Sequence, residues 1–221
     1  MITRDTYYSV LRYSLDEYPW PKLITKLLGE TDLAFLRDDD LPRHSRQTDQ
    51  KTKWHKRFYE TRNVWGELYH RFVISFVARL FREDFYFQAI PTFRVHLPYN
   101  VAVGEYHKDG DYGHPAGETN LWVPLTSAAD TNSVYLCDHD ESQLGIWRRS
   151  IRVWPGDVVV FDAVGRCHGN ETNCERFSRV SFDFRVLPVR LYRDSEARSV
   201  NMGKRFAPGE YYAAEPVRGL A

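Results

Sequence analysis

Five potential metal-binding side chains crowd into residues 104–114, GEYHKDGDYGH: Glu105, His107, Asp109, Asp111 and His114. One residue separates His107 from Asp109, and on an extended strand end that spacing turns both side chains to the same face. An imidazole and a carboxylate side by side make two ligands, so a third must come from elsewhere in the chain. His168 is the best donor, because it follows the β-branched run of WPGDVVVFDA at 154–163 after a short loop. In an antiparallel sandwich that run can lie beside the strand carrying His107. Two histidines and one carboxylate on one side of a metal leave three coordination positions open, and the vacancy makes such a site catalytic rather than structural.

Arg179 and Ser181 follow His168 on what reads as a long strand, and they share one of its faces. A guanidinium takes a carboxylate through two parallel hydrogen bonds, and the hydroxyl adds a third. Asp183 is the competing partner for Arg179. HKD at 107–109, His168 and then Arg179-Val-Ser181 together resemble the HxD...H...RxS signature of the Fe(II)/2-oxoglutarate-dependent oxygenases. Within that superfamily, HKDGDYGHPAGETNLWVPLT is similar to the streptomycin-biosynthesis oxygenase-like group, which the phytanoyl-CoA-hydroxylase-like enzymes adjoin.

The resemblance implies a double-stranded β-helix, or jelly roll, over about residues 86–187. It implies Fe(II) on His107, Asp109 and His168, with 2-oxoglutarate chelating the metal and its far carboxylate held by Arg179 and Ser181. Asn120 is a further candidate for contact with that cosubstrate. O₂ is the third participant, succinate and CO₂ are released, and hydroxylation of a small molecule is the expected outcome. Asp109 fills the position that a halide would need, which disfavours halogenation. Tyr112 and His114, just beyond the HxD, and Arg94 in FRVHL are candidates for substrate contact; Asp111 belongs to the same rim and Glu105 is a neighbour of the ligands. A cupin-like metal-dependent isomerase or hydrolase would also use His and carboxylate ligands but needs no carboxylate clamp. A non-catalytic metal-binding protein on the same scaffold would not need the complete triad.

Positioning these residues requires a β-rich fold. Short runs rich in Val, Phe, Tyr, Trp and Thr predict strands near 86–96, 101–107, 118–125, 132–137, 145–153, 157–162 and 176–187. Before them, Tyr8, Leu11, Leu15 and Tyr18 are spaced as on a helix, Pro21 opens and Gly29 closes a second, and the apolar periodicity of 53–82 predicts a long amphipathic third. The polar tract at 31–50 reads as an exposed loop. The fold class is therefore mainly β with N-terminal helices, a jelly roll buttressed by helices. A single domain is expected over 1–189, helical support about 1–84 and jelly-roll core about 86–187, with 190–221 a C-terminal tail or lid.

Composition narrows the partners. The 30 basic and 30 acidic residues of the 221 balance, so the basic footprint of a nucleic-acid-binding protein is missing and a demethylase of nucleic acids gains no support. No apolar stretch is long enough for a membrane span, and the start MITRDTYYSV lacks the apolar run of a signal peptide. Cys137, Cys167 and Cys174 are an odd count without CxxC spacing, which indicates no disulfide framework and leaves Cys167 a packing role. A cytoplasmic enzyme acting on a small molecule is expected.

Overall fold

A computed structural model of the chain describes residues 8–37, 50–102, 105–139 and 146–220. Its strands are β1 (Ser9–Arg12), β2 (Phe85–Phe87), β3 (Thr92–His96), β4 (Thr119–Pro124), β5 (Val134–His139), β6 (Ile146–Ser150), β7 (Asp157–Phe161), β8 (His168–Asn170) and β9 (Arg179–Pro188). The α-helices are α1 (Trp20–Leu28), α2 (Lys53–Glu60) and α3 (Arg62–Arg71).

All ten residues of β9 are buried, and their alternation shapes the protein. Val180, Phe182, Phe184 and Val186 face the helices, where Phe184 meets Tyr69 edge-on at 5.3 Å and Phe182 meets Trp20 at 4.9 Å. Arg179, Ser181, Asp183 and Arg185 take the opposite face, as the period of two requires. Hydrogen bonding runs antiparallel in the order β1-β7-β4-β9-β2, with β3 beside β2 along the same edge of β9. A second antiparallel sheet, β6-β5-β8, closes over the polar face. Trp122, Val159 and Phe161 of the first sheet share a core with Val134 and Leu136 of the second.

The mainly β architecture with supporting helices follows the sequence expectation, and four local features differ. The first helix is instead β1, an edge strand registered Ser9 to Val160 through Arg12 to Asp157; four short residues fit either period, and the open edge of β7 offers hydrogen bonds that a lone turn cannot match. The helix expected over 53–82 breaks at Thr61, whose hydroxyl donates back to the Arg57 carbonyl at 2.9 Å, a competition that bends helices. Beyond Arg71 the coil widens over Phe72–Phe76 and tightens over Val77–Leu80. The strand expected at 86–96 divides into β2 and β3, and 101–107 pairs only through a single His107–His168 bridge among the described residues. Residues 38–49 of the polar tract lie outside the described residues.

The cysteines also depart from expectation. Cys137 and Cys167 are joined by a disulfide, their Cα atoms 5.2 Å apart. Antiparallel pairing of Leu136 with His168 sets residue 137 opposite 167, and the Cys137 N–H donates to the Cys167 carbonyl at 2.9 Å. Sequence separation concealed that proximity. Residues 190–220 double back, Tyr212 pairing with Gln88 and Val217 with Phe85, and bury Phe206, Tyr211 and Tyr212 against Leu187.

Candidate active site

His107 and His168 exchange main-chain hydrogen bonds at 3.0 and 2.9 Å, an isolated antiparallel bridge at the start of β8. Gly169 permits the approach, since a Cβ there would lie 3.1 Å from the Tyr106 Cα. After His107 the chain turns through a short 3₁₀ helix, Asp109–Tyr112, anchored by the Asp109 N–H on the Ala163 carbonyl at 2.8 Å. Asp111 caps this turn by accepting from the Lys108 N–H at 3.2 Å, and Gly113 closes it at φ 80°. Glu105 is exposed, and its carbonyl meets His107 Nδ1 at 2.6 Å.

Three ligand atoms converge. His107, Asp109 and His168 present theirs within 4.8 Å of one another, with Asp109 Oδ1 lying 3.3 Å from His107 Nε2 and 3.5 Å from His168 Nε2. His168 Nδ1 lies 3.0 Å from the Arg166 carbonyl. A carbonyl only accepts, so each Nδ1 carries its proton and each Nε2 lone pair points into the cluster. The donor set, its convergence and its fixed tautomers fit an Fe(II) ion.

The fourth member of the cluster escaped the sequence reading. Arg185 donates to Asp109 Oδ2 through Nη2 at 2.8 Å and Nε at 3.2 Å, and through Nη1 to Asp183. Asp183 also accepts from Arg94 Nε at 2.9 Å. Burial alone would raise the Asp109 pKa, but the Arg185 guanidinium opposes it and holds the carboxyl below its ordinary range. Burial likewise opposes ionisation of Asp183, and Arg94 and Arg185 together keep it low. The competing partner proposed for Arg179 is thus engaged elsewhere, and Arg94 forms a wall of the cavity with its guanidinium tied to Asp183.

Arg179 and Ser181 lie further along the same face of β9. Arg179 is 2% exposed, its Cζ lies 5.7 Å from the Trp122 ring centre, and it lines the cavity with Asn120. Ser181 Oγ, Asn120 Oδ1 and Trp122 Nε1 are buried with no hydrogen-bond partner among the described residues. Buried polar atoms normally find partners; the Ser181 hydroxyl and the Trp122 N–H can donate to a carboxylate, while Asn120 Oδ1 can only accept.

His96, opposite Arg179 in β3, is not a second cation: burial, followed by the charge of Arg179, pushes its pKa down to about 3 from 6.5. An unfolded chain protonates this histidine below pH 6.5 while the folded one does not. Stability should therefore fall by about 1.4 kcal/mol per pH unit between those two values. In denaturant titrations from pH 7 downward, His96→Gln should show a shallower loss, while an unchanged slope would contradict the assignment.

The cavity encloses about 430 Å³. His107, Asp109, His168 and Arg179 line it, as do Gln88, Thr92 and Arg94, Tyr112 and His114, and Ser199 through Met202. Tyr112 is exposed, its ring 5.2 Å from that of His107. His114 is no ligand of the cluster; its Nδ1 lies 2.6 Å from Glu118, which also accepts from the Tyr212 hydroxyl. The side chain of His139 lies outside the described residues.

Two antiparallel sheets carrying an HxD...H cluster at their junction, with an arginine further along the inner face, match the arrangement that the resemblance to the Fe(II)/2-oxoglutarate-dependent oxygenases implies. The chain belongs to the family of the streptomycin biosynthesis protein StrG of Streptomyces griseus, to which it is 39% identical over 208 residues, 93% of this chain and 97% of that protein. No family model matches. Among solved structures, AviO1 from Streptomyces viridochromogenes Tue57 is similar at TM-score 0.52 and 18% identity, over 85% of this chain and 92% of that one. EctD from S. alaskensis with bound Fe gives TM-score 0.52 and 18% identity, over 86% and 75%. At such identities these two likenesses concern the fold.

Proposed function

We propose that the chain is an Fe(II)- and 2-oxoglutarate-dependent dioxygenase on a jelly-roll scaffold, hydroxylating a small polar metabolite. The observation that carries this reading is the cluster of His107 Nε2, His168 Nε2 and Asp109 Oδ1 on one wall of a cavity that also contains a buried arginine. Bound iron supplies the activation of O₂, in the overall reaction R–H + 2-oxoglutarate + O₂ → R–OH + succinate + CO₂. The protein's part is to bind and orient. When iron is bound, His107, Asp109 and His168 would hold it at the cavity wall; Arg179 and Ser181 would receive the far carboxylate of 2-oxoglutarate, and Asn120 would offer a further hydrogen bond. Trp122, Val134 and Phe161 keep the inner wall apolar and restrict water.

The remaining wall supports a small, hydrogen-bonding substrate. Arg94 is paired there with Asp183, and His114 is hydrogen-bonded to Glu118. What remains to meet substrate is chiefly neutral: Gln88, Thr92, Tyr112, Ser199 and Asn201. A sugar, amino sugar or amino-acid-like biosynthetic intermediate fits such a surface and volume, and the kinship with a streptomycin biosynthesis protein agrees with it. Ser199 through Met202 act as a lid, held by the docked aromatic residues behind them.

Anaerobic addition of Fe(II) and 2-oxoglutarate should produce a visible charge-transfer band, and admission of O₂ with a library of polar metabolites should reveal substrate-dependent succinate. Absence of both would sink the proposal. Oxygen-independent turnover with Zn(II) would point instead to a metal-dependent isomerase or hydrolase.

A further inference from the structure

The two oxygens of Asp109 have different neighbours. Oδ1 faces the imidazoles at 3.3 and 3.5 Å, while Oδ2 accepts two hydrogen bonds from one guanidinium, Arg185, at 2.8 and 3.2 Å. Arg185 is itself fixed, because its Nη1 donates to Asp183 and the other Asp183 oxygen is tied to Arg94 at 2.9 Å. The string Arg94–Asp183–Arg185–Asp109 is buried apart from the partly exposed Arg94, alternates in charge, and ends on the non-ligating oxygen of a ligand residue. A carboxylate without such a partner is free to turn about its last bond and to offer both oxygens to one cation.

We propose that Arg185 is a positioning residue that confines Asp109 to ligation through Oδ1 alone, with Asp183 holding Arg185 in register. The inference rests on the metal-site reading above. Its consequence is specific: the ligand set is formed before the metal arrives, and the second carboxylate oxygen cannot occupy one of the positions kept for cosubstrate and O₂. Outer partners of metal ligands commonly alter affinity by roughly 10- to 100-fold. Arg185 is unusual among them in meeting the acidic ligand with two donors of a rigid fork, which a lysine cannot reproduce.

The test uses the full chain with Co(II), a stand-in for Fe(II) whose visible d–d absorption reports coordination as well as affinity. Arg185→Gln should weaken Co(II) binding by roughly 10- to 100-fold and change the position and intensity of the bands. Arg185→Lys, which keeps the charge but not the fork, should fall between Gln and the parent, and Asp183→Asn should shift in the same direction by less. Parent affinity and parent spectrum in Arg185→Gln would overturn the proposal. So would a loss in Arg185→Gln that Arg185→Lys fully restores, with unchanged bands in both, since charge alone would then explain it. Should Arg185→Gln not fold, as thermal unfolding of the metal-free protein would show, Arg185→Lys and Asp183→Asn carry the decision by the same two readouts. Failure of the oxygenase reading is separate: it appears as absence of succinate from the parent, whatever Arg185 does to Co(II).

Discussion

His168→Ala protein should fold, yet lose Co(II) or Fe(II) binding by more than the roughly 100-fold expected for an outer partner, and with it all substrate-dependent succinate. The fold should tolerate the change because what His168 contributes to the sheets is main chain: its N–H and carbonyl exchange bonds with His107, and Leu136 pairs opposite it in β5. Its ring contacts that of His107 at 4.5 Å and Phe161 at 5.4 Å, and otherwise faces the cavity. Two remaining ligands cannot reproduce the convergence of three. His114→Ala supplies the contrast, since His114 binds Glu118 rather than the cluster, and this variant should keep parent affinity. Titration of both variants with Co(II), beside their circular dichroism spectra, checks the pair; metal retained by the alanine at 168, or lost by the alanine at 114, would redraw the site.

That contrast marks what could be read in the chain and what could not. The HxD spacing, the buried DVVVF strand before His168 and the alternation of Arg179 with Ser181 are local patterns, and local patterns survive in a sequence. The strand DVVVF is buried at every position, as its unbroken apolar run foretold. What stayed hidden depends on which strands become neighbours. The disulfide requires Cys137 and Cys167 to face each other across β5 and β8, and the clamp on Asp109 requires β9 to pass the turn that follows His107.

One signal of Arg185 was nonetheless present. In RVSFDFR, polar residues occupy every second position against Val, Phe and Phe on the other face, so the pattern that selected Arg179 and Ser181 extends through Asp183 to Arg185. A buried cation in that row needs an anion, and the acidic residues of 104–114 were the available ones. The first helix was misread for the converse reason: Tyr8, Leu11 and Leu15 satisfy a helical period, but the unpaired edge of β7 lies almost 150 residues away and decides in favour of a strand.

Arg179 yields the second large effect, and its form separates a cosubstrate clamp from a structural cation. Arg179→Gln should raise the 2-oxoglutarate concentration needed for half-maximal rate by on the order of 100-fold or more, because loss of a buried charged partner costs about 2–5 kcal/mol. Binding of the far carboxylate is the same in ground and transition states, so the rate at saturating 2-oxoglutarate should change little. Ser181→Ala, which removes one neutral donor, should cost about 1 kcal/mol, roughly a fivefold rise. Co(II) affinity should be unaltered in both, since Arg179 and Ser181 precede Asp183 and Arg185 on β9 and neither is among the ligand atoms. Steady-state kinetics against 2-oxoglutarate together with the Co(II) titration measures all three quantities. A fall in saturated rate without a change in half-saturation, or loss of metal, would assign Arg179 to the framework of the barrel wall and leave the cosubstrate carboxylate to be sought at another cation of the cavity.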